Sequence, residues 1–375
     1  MGLTVSHEVL SLALRDPFRI ARSDHGEGTR VTTVIVEVRD DRYPGVVGVG
    51  EGYPDRFYGE TPETMVAVWP ILLEAAGEPA VDPGDADRTR QHLAWLGPTW
   101  AATIRGNGAA KCALDIAIHD LAGKVLGMPV HTLLELSADL PPTDFTIGID
   151  EPAIVAERAA RAADFPALKI KCGGPSDLAT LRAVRDVFAG PIRVDANTGW
   201  SREDAETLLP ELVDLGVELI EQPFPARAYK DLAWLQERST LPIVADESAV
   251  ADEDLEALVG VVAGVNVKLA KCGGIGPAKH MLERARELGF RTFLGCMEET
   301  SVGIAGSAVV ASLAEWVDLD GNLLLADDPF EGLELGPDKR WRLADEPGLG
   351  LTRRKGPSTE TGQTQARPRS ERRRP

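Results

Sequence analysis

The stretch from Leu168 to Asp246 decides the fold. It contains LKIK (168–171), IRVD (192–195), ELIE (218–221) and PIVAD (242–246), four short apolar runs that each close on a charged residue. The segments between them have helical character. In one, Ser201 with Asp204 three residues later has the form of a capping box, and Gly216 supplies a stop. Strand, helix and strand repeated in this way require parallel pairing with right-handed crossovers.

The pattern extends in both directions. It starts at FTIGI (145–149) and continues through GVNVKLAKC (264–272), RTFLGC (291–296) and WVDLDG (316–321), giving eight predicted strands. About eight such units close into an α/β barrel. The polar interruptions Lys171, Asp195, Glu221, Asp246, Lys268, Cys296 and Asp320 follow one another at intervals of 22 to 28 residues, one strand plus one helix each. Each lies near the C-terminal end of its strand, and those ends surround a single mouth where the active site of such a barrel is found.

Upstream the period changes. VTTVIVEV (31–38) is rich in β-branched residues and VVGVGEG (46–52) follows a Tyr43-Pro44-Gly45 turn, which predicts hairpin strands. Ala110, Leu114, Ala117, Leu121 and Val125 then recur at helical spacing, with Gly127 and Pro129 as a stop. Residues 1–130 therefore form an α+β domain ahead of the barrel.

Composition narrows the function. The chain has 375 residues, 43% hydrophobic and 26% charged, with a net charge of −19. That is the wrong sign for a general binder of nucleic acid or of an anionic membrane surface. The stretch from Arg353 to Pro375 holds eight Lys/Arg against two Asp/Glu and has no aromatic residue, so a disordered basic tail is expected. The first eighteen residues do not read as a secretory signal, and no apolar run approaches the roughly 18 residues of a membrane span. Cys112, Cys172, Cys272 and Cys296 are widely separated and suit a reducing compartment, so a cytoplasmic location is expected.

Taken singly, Asp195 and Asp246 read as helix caps and Glu221 as a solvated strand end. Together, three carboxylates on three consecutive strands, flanked by Lys169 and Lys171 before and Lys268 after, repel one another unless a cation sits among them. Oxygen ligands without His or Cys suit Mg²⁺. Lys169 and Lys171 point to the same face of their strand. Ammoniums crowded beside a divalent ion are expected to have a lowered pKa, which allows one to act as a base. Lys268 faces them across the mouth, and two amines on opposite sides of one carbon suit an inversion of configuration.

The blocks LKIKCGG, RVDANTGW, IEQPF, PIVADES and NVKLAKCGGI, in this order, closely resemble the muconate-lactonizing subgroup of the enolase superfamily. The resemblance implies a modified TIM barrel, (β/α)7β, over residues 131–322. It also implies that an N-terminal capping domain is completed by a returning segment, 323–352. One Mg²⁺ on Asp195, Glu221 and Asp246, an acid/base pair of Lys171 and Lys268, a supporting Lys169 and an enediolate half-reaction follow from it. Lys or His bases with Mg²⁺ are the general pattern of that superfamily.

Within the subgroup, Asp318 and Asp320 resemble the Asp-x-Asp of dipeptide epimerases, which holds the substrate's N-terminal ammonium. Arg22 in PFRIARSDHG and Tyr58 in GEGYPDRFYGE resemble cap-loop residues that close over the substrate, and Met297 and Glu298 lie in the block after the seventh strand. The acid at 298 departs from the apolar residue expected in enzymes that favour Ala-Glu, so a neutral or cationic dipeptide is expected. The expected activity is epimerisation at the C-terminal residue of a dipeptide, in a homo-oligomer. The alternatives are o-succinylbenzoate synthase, muconate cycloisomerase and N-acyl amino acid racemase, or a metal-dependent carboxylate-binding protein without turnover. His119-Asp120 and the Gly-Gly pairs after Cys172 and Cys272 are read as structural, and Cys172 and Cys272 as small buried residues.

Overall fold

A computed structural model describes residues 2–22, 28–77 and 81–355. The β-branched run predicted as a strand becomes β2 (Arg30–Asp40), antiparallel to β3 (Gly48–Gly52) on one side and to β1 (Leu3–Ala13) on the other. β1 has no counterpart in the sequence reading. It is an edge strand with no fully buried residue, and its alternation of apolar and polar positions is broken at His7, Glu8, Val9 and Leu10.

Against this sheet lie α1 (Pro62–Ala76), α2 (Ala86–Thr103) and α3 (Gly108–Leu126). Residues 108–123 of α3 are all buried, because β3 covers one side and the barrel the other. The glycines of GVGEG make that approach sterically feasible. A Cβ at Gly48 or Gly50 would stand 2.0 Å from the carbonyl oxygen of Ala117 or Ala113, and one at Gly52 2.3 Å from that of Ala109. The Asp115 side chain on α3 accepts from the backbone N–H groups of Ile275 and Gly276 (2.6 and 3.3 Å), fastening the first domain to the barrel. Asp120 accepts from Val49 N and Leu349 N, both at 2.8 Å, which makes it a structural clasp.

After the short α4 (Val130–Leu133), the eight strands follow: β4 (Phe145–Ile147), β5 (Leu168–Lys171), β6 (Ile192–Asp195), β7 (Val217–Glu221), β8 (Ile243–Ala245), β9 (Gly264–Val267), β10 (Arg291–Leu294) and β11 (Trp316–Val317). They form one parallel sheet in sequence order, and a parallel bridge between Thr143 and Val317 joins its edges. Helices α5 (Pro152–Arg161), α6 (Asp177–Val187), α7 (Arg202–Asp214), α8 (Tyr229–Gln236), α9 (Leu255–Leu258), α10 (Leu269–Cys272), α11 (Ile275–Glu287) and α12 (Ser301–Val310) lie between the strands, and α13 (Gly321–Leu324) follows β11. The Ser201/Asp204 capping box opens α7, and Gly216 adopts φ 68° just beyond it. This is the enolase-type barrel with a capping domain.

Beyond the barrel the chain runs back to the first domain. Ala326 N donates to Ala13 O, and Val130 N and Gly348 N exchange bonds with Gly348 O and Met128 O. Arg353 pairs with Phe330 and reaches Glu8 at 2.6 Å, whereas residues 356–375, most of the expected tail, lie outside the described residues. Among the described residues no helix is long and apolar enough to cross a membrane.

Candidate active site

Parallel register brings the charged strand ends together. Lys171 stands opposite Asp195 across β5 and β6, and Asp195 opposite Glu221 across β6 and β7. Asp246 and Lys268 come immediately after β8 and β9. One carboxylate oxygen from each of Asp195, Glu221 and Asp246 lies within 4.8 Å of the others, and all three residues are fully buried. These hard oxygen donors fit a divalent cation such as Mg²⁺.

Lysines bracket the trio. Lys171 Nζ lies 2.7 Å from Asp195 Oδ2, and Lys268 Nζ lies 2.9 Å from Asp246 Oδ2. Their strands are four apart in an eight-strand barrel, so the two amines approach from opposite walls. Lys169, one layer deeper, contacts Glu221 at 2.9 Å, Asp195 at 3.3 Å and Asp318 at 2.8 Å. It is the charge that joins the carboxylate trio to the aspartate pair.

The electrostatics follow from these contacts. Burial alone would raise Asp195, but Lys171 and Lys169 hold it below the ordinary aspartate value. Against the same burial, Lys268 and Lys271 hold Asp246 well below. Glu221 goes the other way: burial, then the charge of Asp195, pushes it up to about 7. Burial pulls Lys268 down, yet Asp246 beside it outweighs this and holds its ammonium above the ordinary lysine range. The sequence-based expectation of a lowered lysine concerns Lys169 and Lys171 beside a divalent ion; burial pulls Lys169 down, yet Asp318, Glu221 and Asp195 around it hold its ammonium well above the ordinary lysine range.

A cavity of about 570 Å³ opens above the trio, with Lys169, Lys171, Lys268, Asp318 and Asp320 in its floor and walls. Arg22, Met297 and Glu298 line it too, as do Tyr53 and Cys296. Arg22 also ties its loop down: Nε donates to Glu247 Oε1 at 3.0 Å, Nη1 lies 3.7 Å from Asp55, and the guanidinium stacks over Phe57 at 4.2 Å. Tyr58 is not part of the cavity wall. Its hydroxyl is buried, and its phenol is raised by burial and then by the charges of Asp246 and Glu247. The Tyr53 phenol is raised by burial and then by the charge of Glu298.

Several supporting residues escaped the sequence reading. Lys271 Nζ donates to the Asp246 carboxylate and to the carbonyls of Asp246, Ala249 and Asn266, a fixed cation behind one ligand. Gln222 Oε1 accepts from the backbone N–H groups of Asp246 and Ser248 at 2.9 and 3.1 Å, and Asn266 Nδ2 donates to Glu221 at 2.7 Å. The available signals were adjacency, Gln222 following Glu221 and Lys271 three residues after Lys268.

The chain matches the model "Mandelate racemase / muconate lactonizing enzyme, N-terminal domain" over residues 3–135 and "Enolase C-terminal domain-like" over 153–355. It is 38% identical to the L-Ala-D/L-Glu epimerase of Bacteroides thetaiotaomicron over 91% of this chain and 85% of that one. It is 32% identical to the L-Ala-D/L-amino acid epimerase of a Maribacter species over 93% and 99%. Its structure resembles the dipeptide epimerase from Enterococcus faecalis V583, solved with Mg and L-Leu-L-Tyr, with a TM-score of 0.83 at 30% identity over 94% and 100% of the two chains. The protein therefore belongs to the mandelate racemase / muconate lactonizing enzyme family of the enolase superfamily.

Proposed function

We propose that the protein is a Mg²⁺-dependent dipeptide epimerase that inverts the α-carbon of the C-terminal residue by a two-base 1,1-proton transfer. The observation that carries this reading is the placement of Lys171 and Lys268 on opposite walls of one cavity, each against the carboxylate trio. Asp195, Glu221 and Asp246 would hold the ion. Bound there, it supplies positive charge to the substrate carboxylate as the α-proton leaves. One lysine takes that proton and the other returns one to the opposite face. Asp318 and Asp320 hold the substrate ammonium, and the loops bearing Arg22 and Tyr58 close the site against water. Pure binding would have no use for two opposed bases. The four free cysteines fit a cytoplasmic protein, and a homo-oligomer is the assembly we propose.

Incubation with Mg²⁺ and a dipeptide library in D₂O tests the reading. Deuterium should enter the C-terminal residue with formation of the other diastereomer. Formation of succinylbenzoate would point to a synthase, and absence of exchange with every ligand would leave only a binding protein. Glu298 lines the cavity beside Tyr53 and brings a carboxylate to it, so neutral or cationic dipeptides should be preferred to acidic ones. A kcat/KM for L-Ala-L-Glu equal to or above that for Lys- or Arg-containing dipeptides would overturn that preference.

A further inference from the structure

A barrel closes where its first and last strands meet, and here that seam has little backbone pairing. β11 is two residues long and meets the start of β4 through the bridge between Thr143 and Val317, where Asp144 N donates to Val317 O at 3.1 Å. Much of the remaining fastening comes from side chains, and they fasten the aspartate pair. Leu319 N, between the two aspartates, donates to Thr143 Oγ1 at 2.8 Å. Thr146 uses both of its donors on the pair: its backbone N–H on Asp320 Oδ2 and its hydroxyl on Asp318 Oδ1 at 3.0 Å. The other oxygen of Asp318 takes Lys169 at 2.8 Å.

We propose that Thr146 is the positioning residue of the ammonium end of the site, holding Asp318 and Asp320 at one separation facing the cavity. The proposal rests on the reading of that pair as the ammonium site. The residue type suits the task. A β-branched side chain has a restricted χ1 on a strand, and a hydroxyl supplies one directed donor while keeping its lone pairs. Thr146 is 4% exposed and stands at the cavity wall, with its hydroxyl committed to Asp318. Without it, Asp318 Oδ1 loses its partner and the carboxylate is drawn wholly to Lys169, away from the substrate. The residue acts from β4 on atoms 172 and 174 positions away, across the seam.

The test compares a dipeptide such as L-Ala-L-Leu with its des-amino analogue, N-propanoyl-L-leucine, which differs only in lacking the ammonium. KM for the dipeptide and the inhibition constant of the analogue are measured with Mg²⁺ for the wild type, Thr146→Val, Thr146→Ser and Asp318→Asn. Thr146→Val should raise the dipeptide KM by about 10- to 100-fold, the loss of a hydrogen bond to a charged group, and leave the analogue unchanged. Thr146→Ser keeps the hydroxyl and should restore the dipeptide value. If Thr146→Val weakens both ligands equally while Asp318→Asn weakens only the dipeptide, Thr146 merely braces the seam and the proposal fails. If Asp318→Asn also weakens both equally, the ammonium reading itself fails. Should Thr146→Val not fold, Thr146→Ala supports the same comparison.

Discussion

Two clusters of buried carboxylates share one barrel and are built in opposite ways. Asp195, Glu221 and Asp246 come from neighbouring strands, lie with an oxygen each inside 4.8 Å, and are braced from outside by Lys171, Lys268 and Lys271. Asp144, Asp318 and Asp320 straddle the seam, and protein donors take their oxygens: Arg193 Nη1 at 2.8 Å on Asp144, Lys169 and Thr146 on Asp318, and Thr146 N on Asp320. Carboxylates converging on a point concentrate charge for a divalent ion. Carboxylates pinned individually offer fixed acceptors to a monocation, which needs direction more than charge density. Lys169 touches both clusters and is a buried charge that they share.

The largest expected effect comes from breaking the first cluster. Glu221→Gln should lower turnover by about 10³-fold or more, since an ion polarising a carboxylate is worth several kcal/mol in the transition state. It should also abolish the rise in melting temperature that Mg²⁺ gives the wild type. Asp318→Asn should cost less, about 10- to 100-fold in kcat/KM for dipeptides, and should leave the Mg²⁺-induced rise intact. Loss of that rise in Asp318→Asn would mean that Lys169 couples the clusters into one unit, and the comparison would collapse.

The contrast also explains what the sequence revealed. Metal-cluster residues end successive strands, so a period of 22 to 28 residues made Asp195, Glu221 and Asp246 visible before any coordinates. The lysines and the Asp318/Asp320 pair were legible on the same ground together with the family resemblance. Thr146 and Asp144 were not, because their meaning depends on β4 meeting β11 at closure, and the first and last strands carry no sequence signal for each other. Tyr58 is expected on a loop that closes over the substrate; in the 3₁₀ turn of residues 56–58, where Asp55 accepts from Phe57 N, its hydroxyl is buried and it is absent from the cavity lining. Lys271 escaped notice because a lysine on a short helix reads as solvated, whereas its stem is buried and its ammonium surrounded by acceptors. β1 was missed because the alternation of its ends, LTVS and LSL, is broken at His7, Glu8, Val9 and Leu10 in the middle of the strand.

The smallest expected effect sharpens the comparison by pH. Burial and the neighbouring Asp195 raise Glu221 from 4.5 to about 7. A carboxyl raised in the folded state contributes stability that is complete below its ordinary value and is lost as pH climbs through the folded value. Asp195 and Asp246 have the opposite sign. Lysines depress them, so their contribution is intact above 3.8 and is lost only in acid. Between about pH 4.5 and about pH 7, the metal cluster therefore loses stability through Glu221 alone, and the same deprotonation is what an ion requires of its ligand. The Mg²⁺-induced rise in melting temperature should grow by a few degrees across that window and then level off. Glu299, which burial and Glu51 push up to about 8, loses stability in the same direction with or without Mg²⁺ and so cancels from the difference. Thermal melts of the wild type and Asp318→Asn should both show the growth, because the pinned cluster plays no part in it. A Mg²⁺ increment that stays flat from about pH 5 to about pH 8 would show that Glu221 enters the cluster already ionised, and that Lys169 compensates it as fully as Lys171 and Lys268 compensate its neighbours.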